Sequence, residues 1–164
     1  IRTFANIHDV IPSKLLMIGD GPERTKAETL CRELDISDAV RFLGKLEAVE
    51  EVLSVADLFL MPSEKESFGL AALEAMACEV PVISSNTGGL PELNVQGVTG
   101  FMSPVGDIED MTQKALFVLD KANLPTFKAN ALKRAQEFDI TQILPLYEEY
   151  YHRIMEKTAS KATI

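Results

Sequence analysis

The sequence predicts an α/β domain, a Rossmann-like parallel sheet with helices on both faces. Three observations carry this. Short apolar runs at 14–19, 40–44, 57–61 and 81–84 are separated by stretches with helical apolar spacing. Strands that alternate with helices at such short spacing form βαβ units, which implies parallel pairing and right-handed crossovers. The chain has 164 residues, 46% hydrophobic and 25% charged, enough for one domain with a sizeable core.

Taken in order, Ile1, Phe4, Ala5 and Ile7 have helical spacing with neither Met nor a capping residue ahead of them, so we read a helix entered partway through. Residues 14–19 are a buried strand, and 20–23 a turn with Pro22 placed for a first helical turn. An amphipathic helix over 23–34 follows, then a strand over 40–44, a loop over 45–48, a short helix over 49–55 and a strand over 57–61. Strong helix formers occupy 68–78, with Ser67 as N-cap. Residues 81–84 are a strand, 86–89 a loop, 90–93 a helical turn and 99–102 a last short strand. Three helices close the chain at 107–122, 126–138 and 141–156, with Asp107 and Thr141 as N-caps and Pro125 just ahead of the middle one. The last carries Ile143, Leu144, Tyr147, Tyr150, Tyr151 and Ile154 on an apolar face. Without a partner surface such a face stays exposed, packs locally or drives self-association. We take 1–156 as one domain, truncated at its N-terminus, and 157–164 as a small polar tail expected to be disordered.

Composition excludes several classes. A net charge of −9 argues against nucleic acid as a partner. The two cysteines, Cys31 and Cys78, sit in apolar helical contexts and read as buried thiols in a reducing compartment. No apolar run has the length of a membrane span and no signal peptide is present, so a cytoplasmic protein is expected. His8 and His152 are isolated, no Cys/His cluster has metal spacing, and no histidine lies near Ser63, Ser67, Ser84 or Ser85 to build a hydrolase triad. Gly19-x-Gly21 lacks the third glycine of a dinucleotide fingerprint and is followed by Pro22.

In parallel sheets ligands bind outside the carboxyl ends of the strands. The loops Gly19-Asp20-Gly21-Pro22, Gly44-Lys45-Leu46, Ser63 to Phe68 and Thr87-Gly88-Gly89 all lie at that edge and are expected to converge. The most informative of them opens the helix after the third strand. Its first turn is read as Phe68-Gly69-Leu70-Ala71, whose N–H groups lack helical partners and face outward with the positive end of the dipole. That is an anion site, and Gly69 removes bulk where the anion approaches. Glu66 precedes the helix and Glu74 is placed about 10 Å along it. Carboxylates suit vicinal diols, so a nucleotide-sugar, with a hydroxylated ring at each end and a diphosphate between, fits the layout. On spacing alone, an ordinary strand–loop–helix with solvated glutamates is the more common arrangement and the favoured reading.

The full string narrows this. Glu66-x7-Glu74 with Phe68-Gly69-Leu70 between, followed by Ala75-Met76-Ala77-Cys78 and Pro81-Val82-Ile83, resembles the donor-site signature of the retaining glycosyltransferases of family 4. Asp20-Gly21-Pro22, Phe42-Leu43-Gly44, Ala56-Asp57, Gly88-Gly89-x-Pro91-Glu92 and Thr99-Gly100-Phe101 match the family pattern in order. The resemblance implies the C-terminal half of a GT-B fold, which binds the sugar nucleotide while an N-terminal domain of the same polypeptide binds the acceptor. By position it implies that Glu66, the catalytic assignment, and the backbone of Phe68 and Gly69 face the donor sugar, with Ser67 in the same loop. It places the N–H groups of Leu70 and Ala71 on the diphosphate, Glu74 on the ribose, and Gly44, Lys45 and Leu46 on the base. It further implies retention of configuration, no metal and no cofactor, and an Arg and a Lys on the leaving diphosphate at positions ahead of Ile1. The stretch over 60–70 resembles family members of bacillithiol biosynthesis, which join N-acetylglucosamine from UDP to L-malate. Glu79 departs from the pattern, standing at a helix end where the family has Gly. Two other readings stay open: a non-catalytic nucleotide-sugar-binding module, and another GT-B enzyme such as an epimerase, which calls for a histidine or a further acid–base pair.

Overall fold

The computed structural model describes residues 1–159. In chain order the elements are α1 (Arg2–Val10), β1 (Leu15–Ile18), α2 (Arg24–Glu33), a 3-10 turn (Ser37–Ala39), β2 (Val40–Gly44), α3 (Val49–Leu53), β3 (Phe59–Met61), α4 (Leu70–Ala77), β4 (Val82–Ser85), α5 (Leu90–Leu93), β5 (Gly100–Ser103), α6 (Ile108–Leu119), α7 (Leu124–Gln136) and α8 (Ile140–Ala159). Every strand pair is parallel, as the βαβ alternation requires. The ladder is split, however. β1 pairs only with β2, while β3, β4 and β5 pair in that order. Among the described residues β1, β2, β3 and β5 therefore each keep one edge without a strand partner.

β4 shows how the layers form. It is flanked on both sides and fully buried, and its successive side chains point to opposite faces. Val82 packs among Ala72, Ala75 and Met76 of α4, Leu90 and Leu93 of α5, and Ala131 and Ala135 of α7. Ile83 packs among Ile7 of α1, Met111, Ala115 and Val118 of α6, and Phe127 of α7. A fully buried side chain such as Met76 contributes about 1.5–3 kcal/mol relative to exposure. α1 joins the two ladders: Ile7 lies in the cluster with Ile83, while Phe4 and Ala5 pack with Cys31, Ile36, Val40 and, less deeply, Leu15, Met17 and Phe42. At the end of α5, the buried Asn94 amide donates to Ser84 Oγ at 3.0 Å and the Phe101 carbonyl at 3.1 Å, and accepts from Thr99 Oγ1 at 2.9 Å.

Several boundaries differ from expectation, each for a local reason. α6 stops at Leu119 because Asp120 accepts the Ala122, Asn123 and Leu124 N–H groups. α7 then starts at Leu124, so Pro125 lies inside its first turn rather than ahead of it. Asp107 caps α6 as expected, accepting the Asp110 N–H at 3.0 Å. Thr141 does not cap α8: it lies inside the helix, and Asp139 accepts its N–H at 2.8 Å and its hydroxyl at 2.6 Å. α8 runs through Pro145 and reaches Ala159, past the expected end at 156, so residues 157–159 of the expected tail are helical. The rest of that tail, 160–164, lies outside the described residues.

Candidate functional site

The loops that follow the strands gather at their carboxyl ends in two groups. After β1 and β2, the Gly19 N–H donates to the Gly44 carbonyl at 2.7 Å, which ties the 19–22 turn to the start of Gly44-Lys45-Leu46. Lys45 is exposed and Leu46 half-buried. After β3 and β4, residues 64–69 are strapped by 87–90. Thr87 Oγ1 donates to the Glu64 carbonyl at 3.2 Å, and a Cβ on Gly88 would stand 1.6 Å from the Glu66 carbonyl oxygen. Among the described residues no hydrogen bond joins the two groups, so the expected convergence holds pairwise.

The start of α4 needs correction. Its N-cap is Gly69, in the left-handed region at φ 101, and not Ser67. The cause lies in Glu66, whose Oε1 accepts the N–H of Ser67 at 2.9 Å and that of Phe68 at 3.4 Å. Those amides are satisfied by the loop, and Phe68 turns onto Phe138, ring centroids 5.6 Å apart. The chain then enters the helix through Gly69, against which Leu90 packs so closely that a Cβ would lie 2.7 Å from Leu90 Cδ2. The first turn is thus Leu70 to Leu73, and Phe68 is outside it. Ala72 and Leu73 N–H donate back to the Gly69 carbonyl, whereas the N–H groups of Gly69, Leu70 and Ala71 have no partner among the described residues. Leu70 and Ala71 are exposed and the first turn holds no acidic side chain, so the positive end of the dipole is open to solvent. Glu74 is exposed and sits about one turn, ~6 Å, beyond Leu70, closer than the 10 Å expected from an earlier start.

The structure therefore brings Glu66, Ser67, Phe68, Gly69, Leu70 and Ala71 into one rim, with Glu74 one turn behind. Ser67 is exposed, Phe68 and Glu66 half-buried. Sequence reasoning missed two supports of this rim, Arg134 and Phe138 of the α7 end. The Arg134 guanidinium lies 4.8 Å over the Phe138 ring. No local pattern announces them, since the contacts that tie them to the site, Arg134 to the Glu92 and Leu93 carbonyls and Phe138 to Phe68, join residues more than 40 apart in the chain. Glu79 does adopt the left-handed conformation its position suggests, at φ 63. Burial pushes the Cys78 thiol up, with Glu50 and Glu74 adding to the shift.

Residues 1–135 match the family model described as glycosyl transferases group 1. N-acetyl-alpha-D-glucosaminyl L-malate synthase of Bacillus anthracis is 41% identical over 160 residues, 94% of this chain and 41% of that protein. Sucrose-phosphate synthase (tll1590) from Thermosynechococcus elongatus superposes with a TM-score of 0.82 at 31% identity, over 95% of this chain and 42% of its own. Anabaena Alr3699/HepE in complex with UDP superposes with a TM-score of 0.81 at 25% identity, over 92% of this chain and 44% of its own. The chain spans less than half the length of each of these relatives. The Rossmann-like α/β fold expected of a GT-B half is borne out. Fold, motif order and similarity agree, and the chain belongs to the glycosyl transferases of group 1.

Proposed function

We propose that this chain is the donor-binding part of a retaining glycosyltransferase that moves N-acetylglucosamine from UDP to L-malate, in the cytoplasmic pathway of bacillithiol. The observation that carries the donor half is the first turn of α4: unpartnered N–H groups on the exposed residues Leu70 and Ala71, with no acid among them, between Glu66 and Glu74. Backbone donors and the helix dipole favour a diphosphate there. Glu66, with one oxygen engaged by its own loop, presents the other toward the sugar, and Glu74 accepts from the ribose diol. Gly44, Lys45 and Leu46 take the base. The choice of sugar and acceptor rests on the 41% identity to the malate-specific relative.

In this reading no resident metal takes part. The leaving diphosphate is held by the α4 N–H groups and by an Arg and a Lys contributed outside the 164 residues. An acceptor domain of the same polypeptide closes the cleft, and its positioning and its exclusion of water supply much of the rate. The α8 face, exposed at Leu144, Tyr147 and Tyr151, packs against that domain or, in its absence, against a second copy. The experiment is a transfer assay with UDP-N-acetylglucosamine and L-malate on a chain that carries both halves. UDP release coupled to N-acetylglucosaminyl malate formation is expected. Turnover with another acceptor and none with malate overturns the assignment of the acceptor.

A further inference from the structure

The geometry points to Arg134 as a positioning residue for the donor site, an inference that rests on the donor reading above. Arg134 lies in the last turn of α7 with its side chain three-quarters buried. Nε donates to the Leu93 carbonyl at 3.2 Å and a terminal nitrogen donates to the Glu92 carbonyl. These are end carbonyls of α5, which have no partner within so short a helix. The other terminal nitrogen pairs with Glu137, and the guanidinium plane covers Phe138. Phe138 meets Phe68 edge to face.

One planar cation thus secures both supports of the anion-binding turn. Through α5 it fixes Leu90, which packs on Gly69, and the Gly88 strap beneath Glu66. Through Phe138 it fixes the Phe68 ring, one residue ahead of Gly69. Arg134 acts through these two supports and sets the direction of the Gly69, Leu70 and Ala71 N–H groups. Lysine does not replace it, because an ammonium has neither the fork for two carbonyls nor a plane to stack.

The test compares Arg134→Lys, Phe138→Leu and Glu137→Gln by UDP calorimetry, thermal melting and amide hydrogen exchange. Arg134→Lys and Phe138→Leu are each expected to weaken UDP binding by about five- to tenfold, an indirect effect smaller than the loss of a charge-assisted hydrogen bond to the ligand itself. Exchange at the Ala72 and Leu73 amides, which donate to the Gly69 carbonyl in the first turn of α4, should rise more than exchange in α6. Glu137→Gln, which removes only the exposed ion pair, should stay within about twofold. Undiminished UDP affinity in Arg134→Lys, or exchange that rises equally in the α4 turn and in α6, overturns the inference. Should the unmodified chain bind no UDP, the donor reading falls by itself, and the exchange comparison alone decides the role of Arg134: selective loosening of the α4 turn upholds it and uniform loosening overturns it.

Discussion

Glu66 and Glu74 look alike in the sequence and differ in the fold. Glu66 engages Oε1 with its own loop and shapes the approach to α4, whereas Glu74 is exposed on the helix with its carboxylate free for a ligand. In the proposed donor site Glu74 grips the ribose diol, and Glu74→Gln keeps one acceptor oxygen where the carboxylate has two. Hydrogen bonds to charged groups contribute roughly 1.5–3 kcal/mol, so UDP affinity should fall tenfold or more by calorimetry. Unchanged affinity would make Glu74 a surface residue. Glu79 holds a left-handed conformation at the end of α4 with no glycine to ease it. That strain costs a β-carbon-bearing residue about 1–2 kcal/mol, and glycine's extra unfolded-state freedom offsets part of the relief. Glu79→Gly should therefore raise stability by up to about 1 kcal/mol in chemical denaturation, and a loss of stability would contradict the strain.

At the scale of elements, the strap and the caps decide how well the site is held. Gly88→Ala places a Cβ inside the Glu66 carbonyl, so the strap must move; overpacking of this kind costs about 3 kcal/mol. Its melting temperature and its UDP affinity should fall together, and a variant that melts normally would show that the strap is loose. Removing the Asp107 cap of α6 with Asp107→Ala should cost about 1 kcal/mol. One turn further on, Asp110 is held below the usual carboxylate range, mainly by its hydrogen bond from Lys114, with Ser103 adding to the effect. A carboxylate whose folded value is depressed contributes stability above its unfolded value, near 3.8, and loses it as pH falls through the folded one. Asp110→Asn should flatten the acid limb of a stability–pH profile below about pH 4 and leave the limb above it parallel. The strands were legible to within about two residues, because buried parallel strands announce themselves as apolar runs bounded by Gly, Pro and Asp. The start of α4 was not. Ser67 satisfies every local rule for an N-cap, and what overrides it is Glu66 folding back on the loop together with the distant Phe138 ring. The split between β1–β2 and β3–β4–β5 was equally hidden, since an edge lacking a partner leaves no mark on the strand's own pattern.

For the whole molecule, the chain spans less than half the length of the relatives it matches, and the proposed reading gives it the donor-binding part alone. The 164 residues alone should not transfer sugar. Removing one preorganised electrostatic donor already costs on the order of 10²–10³ in rate, and the proposed reading assigns two cations and the acceptor domain to residues outside these 164. Turnover at the rate of a two-domain relative would sink that claim. The last helix tells the same story. Leu146, Tyr147, Tyr150 and Tyr151 are more than half exposed, so local packing does not cover the face. Sedimentation should show self-association that rises with concentration, and a strict monomer with fast hydrogen exchange along α8 would rule it out. The central claim is that the open turn of α4 receives a nucleotide diphosphate. A ¹⁵N NMR titration of the chain with UDP tests it directly. The account predicts saturable shifts at the Gly69, Leu70 and Ala71 amides and at Glu74, accompanied by Gly44, Lys45 and Leu46 and weakened in Glu74→Gln. Shifts that leave those three amides unmoved while appearing elsewhere on the molecule would contradict it.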